Sequence, residues 1–137
     1  MNKELYKIEL GKEIKDLVIN DQITDSEITL VTDSGDIRFG SNHDQDCCEN
    51  VYADFSVLKY VKDIIVGKNI TEIVVKAVDE MGFLLDFRYN YDSHEKVFIP
   101  CYNYQNGYYG SNLELLINNN GVETKIDISN LVEDHID

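Results

Sequence analysis

In the stretch Phe83-Leu84-Leu85-Asp86-Phe87-Arg88-Tyr89-Asn90-Tyr91, aromatic and leucine residues recur at every second position. Asp86 and Arg88 occupy the opposite phase of this alternation. Successive side chains of a strand point to opposite faces of a sheet, whereas a helix repeats with a period of about 3.6 residues. The stretch therefore predicts a strand with one buried face.

The same period of two recurs on both sides of this strand, and turn residues separate the repeats. The dipeptides between neighbouring strands are Ser34-Gly35, Asn106-Gly107 and Asn120-Gly121. Asn-Gly is a strong hairpin signal because both central residues of the turn adopt positive φ. We predict an antiparallel meander over residues 72–128, with further strands within 27–40 and 51–55.

One segment has helical spacing instead. Apolar residues from Val57 to Ile65 recur at i, i+4, i+7 and i+8, with Ser56 placed to cap the N-terminus and Gly67 to follow the C-terminus. This predicts a short helix over 56–66, and a second one is predicted near 129–135. The expected fold is α+β, mainly an antiparallel β-sheet with one short helix packed on it, in a single domain spanning 1–137.

The composition excludes several classes of protein. The chain has 137 residues, with 12 basic and 26 acidic side chains and a net charge of −14. So acidic a chain is not expected to bind nucleic acid, which requires basic contacts to phosphate. The apolar runs are far shorter than the roughly 20 residues that span a membrane, and the first residues contain no apolar signal segment. Three cysteines are too few for a disulfide scaffold, so we expect a cytoplasmic protein.

The negative charge is concentrated in residues 21–58, which carry nine acidic residues against Arg38 alone, a net charge of −8. One interpretation is a solvated surface that keeps the protein soluble. The other is a surface shaped for a basic protein partner. The acidic residues predicted to contact this partner are Asp21, Asp25, Glu27, Asp33, Asp36, Asp44 and Asp54. Tyr108 and Tyr109 of the predicted Asn106-Gly107 hairpin would add amphipathic anchors, unless they pack across the sheet.

The segment His43-Asp44-Gln45-Asp46-Cys47-Cys48-Glu49 concentrates groups that bind metals. Imidazole and thiolate are ligands of zinc, which takes about four of them in a tetrahedron. We predict His43, Cys47 and Cys48 as the main ligands, with Asp46, Cys101 or water as the fourth. The alternative is that the cysteines are small apolar residues, with Cys101 in the core. His94 and His135 are predicted to face solvent.

Residues 43–52 together with Asn106-Gly107-Tyr108-Tyr109 resemble a family of small uncharacterised proteins of phages and their bacterial hosts. The shared pattern is His-x-Gln-Asp-Cys-Cys-Glu-x-Val-Tyr followed later by an Asn-Gly-Tyr-Tyr hairpin, and the resemblance covers residues 8–118. It implies a mobile-element setting but no settled activity, and an anti-CRISPR protein is one role that fits this setting.

Three functions remain open at this point. The first is an anti-CRISPR inhibitor, whose acidic surface occupies the basic nucleic-acid groove of an RNA-guided host nuclease. The second is a zinc-dependent hydrolase with Glu49 as general base beside a zinc-bound water. The third is a non-catalytic interaction module whose cysteines only pack. Acidity and the resemblance together favour the inhibitor, with no catalytic residues and a structural zinc ion.

Overall fold

Most of the predicted strands are present, in two antiparallel sheets. A computed structural model describes residues 3–43, 50–78, 81–105, 112–132 and 135–136. In these ranges the strands are β1 (Lys3–Glu13), β2 (Asp16–Asn20), β3 (Glu27–Thr32), β4 (Gly35–Asn42), β5 (Asn50–Ala53), β6 (Asn69–Ala77), β7 (Gly82–Tyr89), β8 (Ser93–Gln105), β9 (Glu114–Asn119), β10 (Val122–Asp127) and β11 (His135–Ile136). The α+β, mainly antiparallel prediction is confirmed.

The two sheets have different strand orders. Sheet 1 runs β1-β6-β7-β8-β11, with β5 paired to the second half of β8. Sheet 2 runs β10-β9-β4-β3-β2. Antiparallel pairing places Phe83 opposite Ile99 in sheet 1 and Phe39 opposite Ile117 in sheet 2. All four of these side chains are fully buried, and the inner faces of both sheets contribute to one hydrophobic core.

The predicted meander over 72–128 needs a correction, because its strands belong to both sheets. Strands β6, β7 and β8 form consecutive hairpins in sheet 1, whereas β9 and β10 pair in sheet 2, where β9 also pairs with β4. Period-two patterning shows that a strand has one buried face, but not which sheet supplies that face. The Asn120-Gly121 turn is confirmed, with φ of 52° and 92°. The predicted Asn106-Gly107 turn lies outside the described residues.

The predicted helix over 56–66 is present as two short pieces with a different cap. A 3₁₀ helix spans Phe55–Tyr60 and an α-helix, α1, spans Lys62–Ile65, followed by Gly67 with a φ of 93°. Asp54, not Ser56, caps the first piece, since its Oδ1 accepts hydrogen bonds from the Ser56 nitrogen at 3.0 Å and hydroxyl at 2.6 Å. In the described part of the chain, no helix has the length and apolar character needed to cross a membrane.

The two ends of the chain differ from expectation. The long strand β1 was not predicted, because irregularities between Glu4 and Tyr6 and between Glu9 and Lys12 interrupt its alternation. The helix expected over 129–135 is wrong: a 3₁₀ turn covers only Ser129–Leu131, and β11 then pairs parallel to β8. The Ser129 hydroxyl donates to Asp127 at 2.6 Å and accepts from the Leu113 nitrogen at 3.0 Å, so it links the end of β10 to the residue before β9 instead of capping a helix.

Candidate partner-binding face and metal-ligand segment

The face of sheet 2 that points away from the core is strongly acidic. Alternation along its strands places charged side chains on this outer face, and cross-strand register brings them into neighbouring rows. The acidic members, which we call the acidic face, are Asp16, Glu27, Asp36, Glu114, Glu123 and Asp127. The basic members are Arg38 and Lys125.

Several acidic groups of this face lack a compensating cation. Among the described residues, Glu27, Asp36 and Glu123 form no ion pair, and neither does Arg38. Asp127 lies directly opposite Glu114 in the β9–β10 ladder, an arrangement of like charges that costs stability. Hydrogen bonds from the side chain and backbone of Ser129 hold the pKa of Asp127 below its ordinary value, so this carboxylate stays charged.

The outer face of sheet 1 is different, because a central group of its charges forms a network of ion pairs. The Asp86 carboxylate is fully buried there and contacts Lys76 Nζ at 3.3 Å, Arg88 Nε at 3.3 Å and His94 Nδ1 at 3.0 Å. Glu72 extends the network, with Arg88 Nη1 at 2.7 Å from its Oε1 and Lys7 Nζ at 3.2 Å from its Oε2. We call Lys7, Glu72, Lys76, Asp86, Arg88 and His94 the Asp86 network.

The Asp86 network was missed in the sequence because its members come from four strands. In the sequence, only Asp86 and Arg88, which alternate with apolar residues in 83–91, indicated this network. His94 was predicted to face solvent, and its side chain is 41% exposed, but its Nδ1 is held by Asp86. The side chain of His135 lies outside the described part of the structure.

The acidic residues predicted to bind a partner do not form one patch. Asp25 and Glu27 lie at one end of sheet 2, with Asp21 in the connection after β2, and Asp33 and Asp36 flank the β3–β4 turn at the other end. The length of β3 separates the two groups by about 17 Å. Asp33 Oδ2 lies 3.7 Å from Lys15 Nζ and is partly compensated. Asp44 lies outside the described residues.

Asp54 has a structural role that the sequence did not suggest. Its carboxylate caps the 3₁₀ helix as described above, and its backbone nitrogen donates to the Pro100 carbonyl at 2.9 Å. The side chain is half-buried. Asp54 therefore has a structural role in addition to its predicted place on a partner-binding surface.

An open cavity of about 240 Å³ lies at the end of the acidic face that contains Glu27, and Asp25, which precedes β3, also lines it. Its floor includes Gly40 and Leu116, and its walls include Arg38 and Glu123. Three carboxylates therefore line this cavity: those of the predicted partner-binding residues Asp25 and Glu27, and that of Glu123 from β10. Sequence reasoning did not identify Glu123, because it lies 96 positions after Glu27 and reaches the cavity only through the order of strands in sheet 2.

The segment with the predicted metal ligands connects the two sheets. His43 follows β4 at the edge of the described range, and its Nδ1 hydrogen bonds to the backbone carbonyl of Asn112. A hydrogen bond from one ring nitrogen to a carbonyl is how proteins commonly orient a metal-binding histidine. Asp46, Cys47, Cys48 and Glu49 lie outside the described residues. Among those described, no group of three or more His, Cys, Asp or Glu side chains is arranged to hold a metal ion.

Cys101 has the properties of a core thiol. Its side chain is fully buried, and burial raises its pKa to about 12, whereas zinc requires a thiolate. It pairs with Ala53, which lies three positions, or about 10 Å, along β5 from Asn50 at the start of this strand. These observations favour packing over metal binding for Cys101.

The structure describes some of the tyrosines near the end of β8 that pairs with β5. Tyr52 and Tyr102 pair across β5 and β8, with ring centroids 5.5 Å apart and a tilt of 47°. This geometry is typical of a stabilising aromatic pair. Tyr108 and Tyr109, the predicted anchors, lie outside the described residues.

The fold and the two outer faces together define a small two-sheet antiparallel β protein with one charge-balanced face and one acidic face. No family model, no curated protein and no solved structure matches the chain.

Proposed function

We propose that the chain is a non-catalytic protein that binds a basic protein surface through its acidic face, and that its target is a host RNA-guided CRISPR nuclease. Binding in the basic groove of such a nuclease would block the entry of nucleic acid. The observation that carries the proposal is the contrast between the two outer faces. The charges of the Asp86 network are paired, whereas Glu27, Asp36 and Glu123 have no ion-pair partner among the described residues.

The energetics of the acidic face support a binding role. Facing carboxylates such as Glu114 and Asp127 repel each other in the free protein. A basic partner would remove that repulsion on binding and would be attracted over a distance of about 8 Å at physiological ionic strength. Association is then expected to be fast and to weaken as salt is added.

The proposal includes a structural zinc ion held by His43, Cys47 and Cys48, with Asp46 or water as the fourth ligand. The fixed orientation of the His43 ring by Asn112 supports it. Its role would be to stabilise the connection between the sheets, because closing a metal site contributes directly to folding.

A binding measurement with charge-neutralised variants tests the role of the acidic face. The test variant combines Glu27→Gln, Asp36→Asn and Glu123→Gln. A matched control carries Glu4→Gln, Glu9→Gln and Asp92→Asn, which removes the same charge from exposed residues of sheet 1 and its β7–β8 turn.

Binding to immobilised guide-loaded CRISPR nucleases is measured by interferometry at low and physiological salt. We expect the test variant to lose most of its affinity and the control to retain it. If both variants lose the same affinity, binding depends on net charge alone, which would contradict a specific role for the acidic face.

A further inference from the structure

Gly40 lies within β4, a strand that has a neighbour on each side. Its backbone conformation does not require glycine. Its φ lies outside the positive range that favours glycine. Strand β4 pairs with β3 on one side and with β9 on the other, where Gly40 faces Leu116. Glycine in a strand interior weakens the strand and often marks a place where a ligand or another chain approaches closely.

Packing within the protein does not require glycine at this position either. A Cβ atom built on Gly40 would have Glu27 Cβ at 3.4 Å and Glu27 Oε2 at 3.7 Å as its nearest neighbours. Both distances are those of ordinary van der Waals contacts, so a Cβ atom would fit here. Gly40 is instead one of the residues that line the cavity of about 240 Å³.

We propose that this glycine-floored cavity is the socket for an arginine side chain of the basic partner. The proposal rests on the proposed function and identifies the group that the acidic face receives. The cavity is smaller than the roughly 300–1,000 Å³ of typical small-molecule pockets, which favours a single side chain as its occupant.

The chemistry of the walls fits a guanidinium group. Asp25, Glu27 and Glu123 contribute three carboxylates against the single positive charge of Arg38, and Leu116 provides an apolar surface for the aliphatic part of the side chain. Arginine is preferred over lysine because its planar fork donates two parallel hydrogen bonds to one carboxylate. Arginine is also among the residues that most often anchor protein interfaces.

A peptide titration followed by ¹H–¹⁵N NMR tests the socket without the nuclease. The probe is a tetra-arginine peptide with blocked ends, and a tetra-lysine peptide of the same design is the comparison. In the wild-type protein we expect arginine-dependent shifts at the amides of Glu27, Gly40 and Asn118. The lysine peptide should bind several-fold more weakly, because it loses the bidentate contact.

Two variants and one control separate the socket from general charge. Gly40→Val narrows the cavity without changing any charge, and a thermal melt confirms that it folds; Gly40→Ala is the milder second variant. Glu27→Gln removes a wall carboxylate. Either Gly40→Val or Glu27→Gln should lower the affinity for the arginine peptide about tenfold, which corresponds to the loss of one charge-assisted hydrogen bond. Glu9→Gln, with the same charge change on sheet 1 at a side chain that is 85% exposed, should have little effect.

The outcomes distinguish this inference from the proposed function. Unchanged peptide affinity in folded Gly40→Val, or equal losses in Glu27→Gln and Glu9→Gln, would overturn the socket even if the nuclease binds. Equal binding of the arginine and lysine peptides would overturn the choice of arginine. Socket-specific binding of the peptide would support the inference even if no CRISPR nuclease binds the protein.

Discussion

The Nδ1 atom of His94 lies 3.0 Å from Oδ1 of Asp86, a carboxylate with no solvent exposure although it is on the outer face of sheet 1. The other oxygen, Oδ2, is 3.3 Å from both Lys76 Nζ and Arg88 Nε. A buried charge costs free energy unless it is paired and hydrogen bonded, and here three basic side chains meet that requirement. Asp86 is therefore the centre on which the charge balance of this face depends.

Replacing Asp86 with asparagine should destabilise the protein strongly. The change removes the anion and leaves Lys76 and Arg88 close together without it. We expect a loss of about 2–3 kcal/mol in the free energy of unfolding, below the roughly 3–5 kcal/mol of fully buried pairs because Arg88 and His94 stay partly exposed. Urea denaturation measures the loss. Glu9→Gln on the same face, with a side chain 85% exposed, is the control and should cost little. A loss for Asp86→Asn no larger than that of the control would contradict the central role of Asp86.

Acid should weaken the fold partly through Glu72. Burial raises the pKa of this carboxyl, but hydrogen bonds and charges of Lys7 and Arg88 together hold it below its ordinary value of 4.5. Because the folded pKa is the lower one, Glu72 stabilises the fold above pH 4.5, and this contribution is lost as the pH falls through the folded pKa. The free energy of unfolding measured from pH 7 to pH 3 should therefore fall less steeply in Glu72→Gln. Identical acid limbs in both proteins would refute this assignment.

Asp54 allows its capping and partner-binding roles to be separated. Asp54→Ala should lower stability by about 1 kcal/mol, because Ser56 loses its acceptor at the helix start. Asp54→Asn should retain most of the cap while removing the negative charge. Thermal melts of the two variants measure capping, and nuclease binding by Asp54→Asn measures the contribution of charge. Equal destabilisation by alanine and asparagine would argue against the cap.

Zinc content and thiol reactivity test the metal-ligand segment. We expect one equivalent of zinc by elemental analysis of protein purified without chelator, lost in Cys47→Ser and retained in Cys101→Ala. With a thiol pKa of about 12, Cys101 should also resist alkylation at neutral pH in the folded protein. Metal far below one equivalent, together with free alkylation of Cys47 and Cys48, would end the zinc proposal. Zinc loss in Cys101→Ala would restore Cys101 as a ligand.

Local patterns predicted much of the fold. Alternation located β7, and the Ser34-Gly35 and Asn120-Gly121 dipeptides located two hairpins, because these signals depend on neighbouring residues alone. The same alternation did not show that β8 and β9 belong to different sheets. It also missed β1, where irregular pairing and Gly11, with a φ of 64°, break the period.

The candidate sites were less accessible to sequence reasoning, because they depend on strand order. Asp25 and Asp36 of the 21–58 stretch are exposed, but Glu114, Glu123 and Asp127 complete the acidic face from distant strands. Asp86 alternates with apolar neighbours and was expected on the polar side of its strand, where side chains usually meet solvent. Its burial results from basic side chains of β6, β7 and β8 that surround it.

The competition between this protein and target DNA for a guide-loaded CRISPR nuclease is the decisive measurement. DNA binding and cleavage are followed with and without the protein, at low and physiological salt, for nucleases of plausible hosts. The account predicts inhibition at low salt that weakens as salt increases, and that is relieved by the combined Glu27→Gln, Asp36→Asn and Glu123→Gln variant. DNA binding and cleavage that remain unchanged at a large molar excess of the protein in low salt would contradict it.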